Sequence, residues 1–98
     1  MKIKKYVLSR KAQIHLTEIR DYTIKNFGAS QWKKYKQILT TGFDTTVDNP
    51  RIGKDCEDVQ PNALRYKVGY HNIYYSIKES EILIMALLTD HQMPQNHL

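Results

Sequence analysis

The chain has 98 residues, one domain's worth, with 41% hydrophobic and 26% charged residues. These are ordinary proportions for a globular domain, and a chain this short buries only roughly 60–65% of the surface its unfolded form exposes, so its core is small. They exclude a deep pocket walled by a second domain, so function is expected on a surface, in a shallow groove or with a partner.

Fifteen Lys and Arg face ten Asp and Glu, a net charge of +5. Such a surface attracts nucleic acid, an acidic protein segment or an anionic membrane. Seven tyrosines suit half-exposed surfaces and interfaces, because the ring is apolar and its tip polar. The single cysteine, Cys56, has no internal partner, which fits a reducing compartment. No signal peptide is expected in the basic opening Met1-Lys2-Ile3-Lys4-Lys5. The longest apolar run, Ile82 to Leu88, is far below the ~18 residues a membrane span needs. A cytoplasmic location is expected, with residues 1–98 as one domain.

Lys4 to Leu8 is a plausible first strand. Ser9 then suits a helix N-cap, since its hydroxyl can accept an orphan backbone N–H. Ala12, Leu16, Ile19, Tyr22 or Thr23, and Phe27 step by three and four, which predicts a helix over Arg10 to Phe27. Gly28 stands where a left-handed C-cap belongs. Ser30 is a candidate cap for a second helix carrying Trp32, Tyr35, Ile38, Leu39, Phe43 and Val47 on one face. Asn49-Pro50 ends it. A link of two or three residues makes the pair an antiparallel hairpin.

Asn49 to Pro61 reads as a loop, with room for a short turn or strand. From Ala63 the period changes to two. Leu64, Tyr66 and Val68 alternate with Arg65 and Lys67. After a turn at Gly69-Tyr70, Ile73, Tyr75 and Ile77 alternate with Asn72, Tyr74 and Ser76, as half-buried antiparallel strands do. Ile82 to Leu88, apolar on both faces, is expected to be a central strand, or one covered on both sides. Thr89 to Leu98 reads as an irregular tail or one helical turn. The fold class is α+β: an N-terminal strand and a helical hairpin packed on a small antiparallel sheet, in the order β-α-α-β-β-β.

The chemistry-bearing residues are sparse. Cys56 has no neighbouring histidine, and no Gly-x-Ser-x-Gly elbow exists. His91 and His97 lack companions at ligand spacing, so no metal or cofactor is expected. His15 is expected on the polar flank of the first helix and His71 at a turn. Arg65 presents a planar fork suited to phosphate or carboxylate. Tyr70 and Tyr74, among Lys67 and Lys78, form a basic–aromatic interleaving that could stack on bases, whereas Tyr75 faces the core.

Several of these segments together resemble one family. Tyr6-Val7-Leu8-Ser9, Ala12, Leu16, Ile19, Tyr22-Thr23 and Phe27-Gly28 are similar to the first half of the ParE toxins, within the RelE/ParE superfamily of toxin–antitoxin systems. Gln31, Tyr35, Phe43 and Asn49-Pro50-Arg51-Ile52-Gly53 continue the likeness. Leu64-Arg65-Tyr66-Lys67, His71-Asn72-Ile73-Tyr74-Tyr75, and Leu87-Leu88 to Met93-Pro94 with His97-Leu98 complete it.

The resemblance implies an antitoxin partner of the ParD type that wraps the toxin and binds operator DNA through its own N-terminal part. It also implies inhibition of DNA gyrase. RelE-like relatives instead cleave messenger RNA on the ribosome, which needs a base, an acid and cations around the phosphorane. Arg65 matches an arginine that those nucleases use. However, Ile82 to Leu88 carries no charge, Thr89 stands where many relatives have histidine, and no tyrosine follows His91. Gyrase inhibition without catalysis is therefore the favoured reading. A RelE-like ribonuclease and a decayed, non-toxic antitoxin-binding module are the alternatives. The antitoxin is expected as a helix in the groove beside the sheet and the helical pair, meeting Arg65, Lys67, Tyr74 and the tail. The target is expected to meet His91, Met93, His97 and Leu98.

Overall fold

The computed structural model describes residues 2–98. Strand β1 (Lys5–Leu8) leads into α1 (Arg10–Phe27) and α2 (Ala29–Asp48). Strands β2 (Lys54–Asp55), β3 (Leu64–Val68), β4 (His71–Ile77) and β5 (Glu81–Leu88) follow, and a 3-10 turn spans Pro94–Asn96.

Ser9 caps α1 as its residue type suggests. Its hydroxyl oxygen accepts the Ala12 N–H at 3.1 Å and its O–H donates to the Met85 carbonyl at 3.0 Å. One side chain thus starts the helix and ties it to β5. Gly28 ends α1 with φ +93°, a region that L side chains avoid. The expected link of two or three residues shrinks to this one glycine, because α2 begins at Ala29. Ser30 consequently lies inside the first turn of α2, which has no side-chain cap.

Both helices pack on one face of a five-stranded sheet with the order β1-β5-β4-β3-β2. Strands β3, β4 and β5 form the expected antiparallel meander. The whole sheet is mixed rather than antiparallel, because β1 lies parallel to β5 with Tyr6 opposite Ile82. A parallel neighbour requires a long crossover, and the helical hairpin supplies one. Within the expected loop, Lys54–Asp55 adds a fifth strand against β3.

The core lies between the helices and the sheet. Ala12, Leu39, Ile73, Tyr75, Ile82 and Ile84 have no exposed surface there. The register of β4 against β5 slips between Tyr74 and Tyr75, so that Tyr74 faces Ala86 and Tyr75 faces Ile84. Met85 is the extra residue of this bulge, and it reverses the parity of β5. Ile82 and Ile84 point to the helices before it, and Leu87 points there after it. The sequence of β5 hides this switch, because both of its faces are apolar.

Strand β4 corrects the expected half-buried pattern. Asn72, Tyr74 and Ser76 are buried as fully as their neighbours. A second cluster covers that face: Cys56, Ala63, Tyr74, Ala86 and Leu88, with Val59, Met85 and Leu98 against it. The irregular stretch and the tail therefore act as a second layer over the middle of the sheet.

Removing a fully buried side chain leaves a cavity as well as losing transfer free energy. Leu39→Ala is expected to lower unfolding free energy by about 2–5 kcal/mol in urea denaturation. Ile38→Ala, one residue away and exposed, is expected to stay within about 0.5 kcal/mol.

Candidate functional site

A groove of about 690 Å³ opens between α1, the start of α2 and the ends of β4 and β5. Its walls are mostly apolar and aromatic. Ile19, Tyr22 and Phe27 come from α1, Tyr35 from α2, Tyr70 from the β3–β4 turn and Leu87 from β5. Tyr22 and Phe27 meet edge to face at 6.3 Å, yet they are 63% and 65% exposed. Tyr70 is 80% exposed. Large rings left this open in one concavity mark a surface built to be covered.

Tyr35 shapes the groove floor. It sits one and a half turns into α2 on the core-facing stripe, so its ring reaches across to the turn between β3 and β4. Its hydroxyl accepts the Tyr70 N–H at 2.9 Å and shares a 2.5 Å hydrogen bond with Nδ1 of His71. Gly69 makes this approach possible: its φ is +58°, and a Cβ there would lie 2.8 Å from the Tyr35 ring. The sequence marked Gly69 as a turn but not as the seat of a tyrosine. His71, expected at a turn, is the first residue of β4 and is held by that tyrosine. Burial lowers its pKa, and burial raises that of Tyr35.

His15 also departs from its expected place. It faces β5 rather than solvent, and its Nδ1 accepts the Leu87 N–H at 3.2 Å. That bond requires an unprotonated Nδ1. Burial lowers the His15 pKa, His97 and Lys11 lower it further, and Glu18 opposes them. The His97 ring lies against His15 at 6.0 Å, and Lys11 Nζ donates to the Leu98 carbonyl at 3.2 Å. The tail is thus folded back onto α1. Of the four tail residues singled out, His91 and Met93 are exposed, whereas His97 and Leu98 are half-buried in this packing.

Arg65 and Lys67 stand on the opposite face of the sheet, because their neighbours Leu64, Tyr66 and Val68 face the helices. Arg65 is exposed. Lys67 Nζ donates to Asp90, whose other carboxylate oxygen accepts the Asn72 amide at 2.9 Å. The Lys67 and Asn72 hydrogen bonds hold the Asp90 carboxyl below its usual range. Tyr74, expected beside them on the surface, is only 3% exposed and belongs to the second cluster. The strand period placed it on the face of Arg65 correctly. It could not show that residues 56–63 and Leu98 cover that face.

The profile described as ParE toxin of type II toxin-antitoxin system, parDE, matches residues 6–94. The chain belongs to this family. It is 36% identical over 73 residues to Toxin ParE1 of Mycobacterium tuberculosis strain H37Rv, covering 74% of each chain. It is 27% identical over 75 residues to Toxin ParE1 of Caulobacter vibrioides, covering 76% of this chain and 78% of that one. A solved structure titled Chromosomal ParDE TA system from P. aeruginosa has the same fold, with a TM-score of 0.74 and 22% identity, over 91% of this chain and 96% of that one. This ParE-family chain has no helix among its described residues long and apolar enough to cross a membrane. No group of three or more His, Cys, Asp or Glu among them is placed to hold a metal.

The two groove histidines give the fold a pH dependence of known sign. Each has a folded pKa below the ordinary value of about 6.5, so the unfolded chain binds more protons in the interval between. Their contribution is complete above about pH 6.5 and is lost as pH falls through the folded values. Urea midpoints should therefore drop from pH 7.5 to pH 5, and the double variant His15→Gln, His71→Asn should flatten that drop.

Proposed function

We propose that this ParE-family chain stops DNA gyrase by binding it directly, in the cytoplasm, and is held inactive by a ParD-like antitoxin. The observation that carries the reading is the family match over residues 6–94. The arrangement of polar groups supports binding over catalysis. His15 and His71 look into the groove with Nδ1 engaged, while Arg65 lies across the sheet from both. A ribonuclease needs such groups around one phosphate.

The antitoxin's amphipathic helix occupies the groove. Its apolar face covers Tyr22, Phe27 and Tyr70, as helix-in-groove partners do. A continuing acidic segment that wraps the sheet edge meets Arg65 and Lys67. Tyr74 is too buried to contribute directly and positions the strand beneath them. Operator DNA is reached through the antitoxin in this complex. The exposed tail residues His91 and Met93 meet gyrase, and His97 and Leu98 hold the tail in place.

Purified chain in excess is expected to inhibit gyrase supercoiling and to trap cleaved DNA, with His91→Ala, Met93→Ala markedly weaker. Undiminished supercoiling by a chain that arrests growth on induction would refute the gyrase target. New messenger cleavage that Arg65→Ala abolishes would support the ribonuclease instead.

Antitoxin affinity separates the two contact surfaces. Tyr22→Asp with Tyr70→Asp should weaken binding by about thirtyfold or more, the loss expected from a central anchor of at least about 2 kcal/mol. Arg65→Glu with Lys67→Glu should weaken binding, slow association and flatten its dependence on salt, because the attraction that salt screens is gone. Calorimetry in which either pair leaves binding unchanged removes that surface from the interface.

A further inference from the structure

The charges of this chain are segregated. Residues 1–40 hold ten Lys or Arg against two acids, while residues 41–98 hold five against eight. The excess concentrates at the tip of the helical hairpin, where residues 20–36 carry five cations and only Asp21. Arg20 is paired with Asp21 at 3.1 Å. Among the described residues Lys25, Lys33, Lys34 and Lys36 enter no ion pair.

The helix itself gives no reason for this distribution. A macrodipole favours carboxylates in the first turn and cations in the last. Helix α2 has neither, and it ends on Asp44 and Asp48 instead. Solubility alone would be served by interspersed signs.

The outward positions of the first two turns of α2 are Ser30, Gln31, Lys33, Lys34, Lys36 and Gln37, all exposed. Trp32 and Tyr35, between them, turn inward to the core. Hydroxyl, amide and ammonium donors without a carboxylate are the side chains that contact phosphate backbones. A peptide partner would need apolar anchors here, and a single strand would need rings interleaved with the cations. These six positions of α2 supply neither, and the exposed rings of the tip, Tyr22 and Phe27, stand on α1 and line the groove instead.

We propose that the hairpin tip is a direct contact for the backbone of double-stranded DNA. The toxin thus grips DNA itself, apart from any DNA bound by its antitoxin. The choice of DNA over duplex RNA rests on the gyrase reading, because gyrase works on a DNA segment.

The test uses the full chain, without gyrase or antitoxin, and a fluorescent 30-base-pair duplex of arbitrary sequence. Anisotropy is followed from 50 to 200 mM salt. Three phosphate contacts predict a log–log slope of about −2.7, or roughly fortyfold weaker binding across that range. The variant Lys33→Gln, Lys34→Gln, Lys36→Gln should lose at least about tenfold at 50 mM with its circular dichroism and Tm unchanged. Lys2→Gln, Lys4→Gln, Lys78→Gln removes the same charge elsewhere and should stay within about twofold. No binding by the wild-type chain at 50 mM would overturn the proposal, as would equal losses in the two variants. Tighter binding of polyglutamate would overturn it in favour of an acidic protein, and tighter binding of single-stranded or duplex RNA in favour of RNA. Because gyrase is absent, a negative result here leaves the supercoiling assay to judge the target separately.

Discussion

Strand β5 has a paired neighbour on one side for only half its length. Four residues of β1 cover it as far as Ile84, and the backbone beyond must find partners elsewhere. A buried N–H or C=O without one costs about 1–3 kcal/mol. Ser9 takes the Met85 carbonyl and His15 takes the Leu87 N–H. The start of α1 is therefore fastened along the open edge of β5, which fixes the tilt of the helical pair over the sheet. The groove lies alongside this fastening, between α1 and the ends of β4 and β5.

The other end of the groove depends on one hydroxyl. Tyr35 joins α2 to the β3–β4 turn through Tyr70 and His71. Between these two fastenings the wall is apolar and open. Its rings pair with one another, Tyr22 with Phe27 at 6.3 Å and Tyr35 with Tyr70 at 6.2 Å, while Tyr22, Phe27 and Tyr70 keep most of their surface exposed.

Charge is distributed on a different plan from hydrophobicity. The apolar groove lies between helices and sheet, the cations gather at the hairpin tip, and five acids stand between Asp44 and Asp58 at the far end. Helix α2, with 20 residues, spans about 30 Å between the two poles. The antitoxin and DNA contacts proposed above would therefore rest on different forces, apolar burial for the one and charge for the other.

Local periodicity by itself determined the helices, the meander and the inward faces of Leu64, Tyr66, Ile73 and Tyr75. These depend on neighbours three or four residues away on a helix and two on a strand. Chain order also carried the family likeness, since it needs only residue types in sequence. The tertiary structure alone decided the rest. The parallel seat of β1, the bulge at Met85, the burial of Tyr74 and the turning of His15 toward β5 each depend on residues far apart in the chain. Ser9 meets Met85 across 76 positions, and His15 meets Leu87 across 72. No local pattern encodes such contacts, because their partners are brought together only when the whole sheet closes.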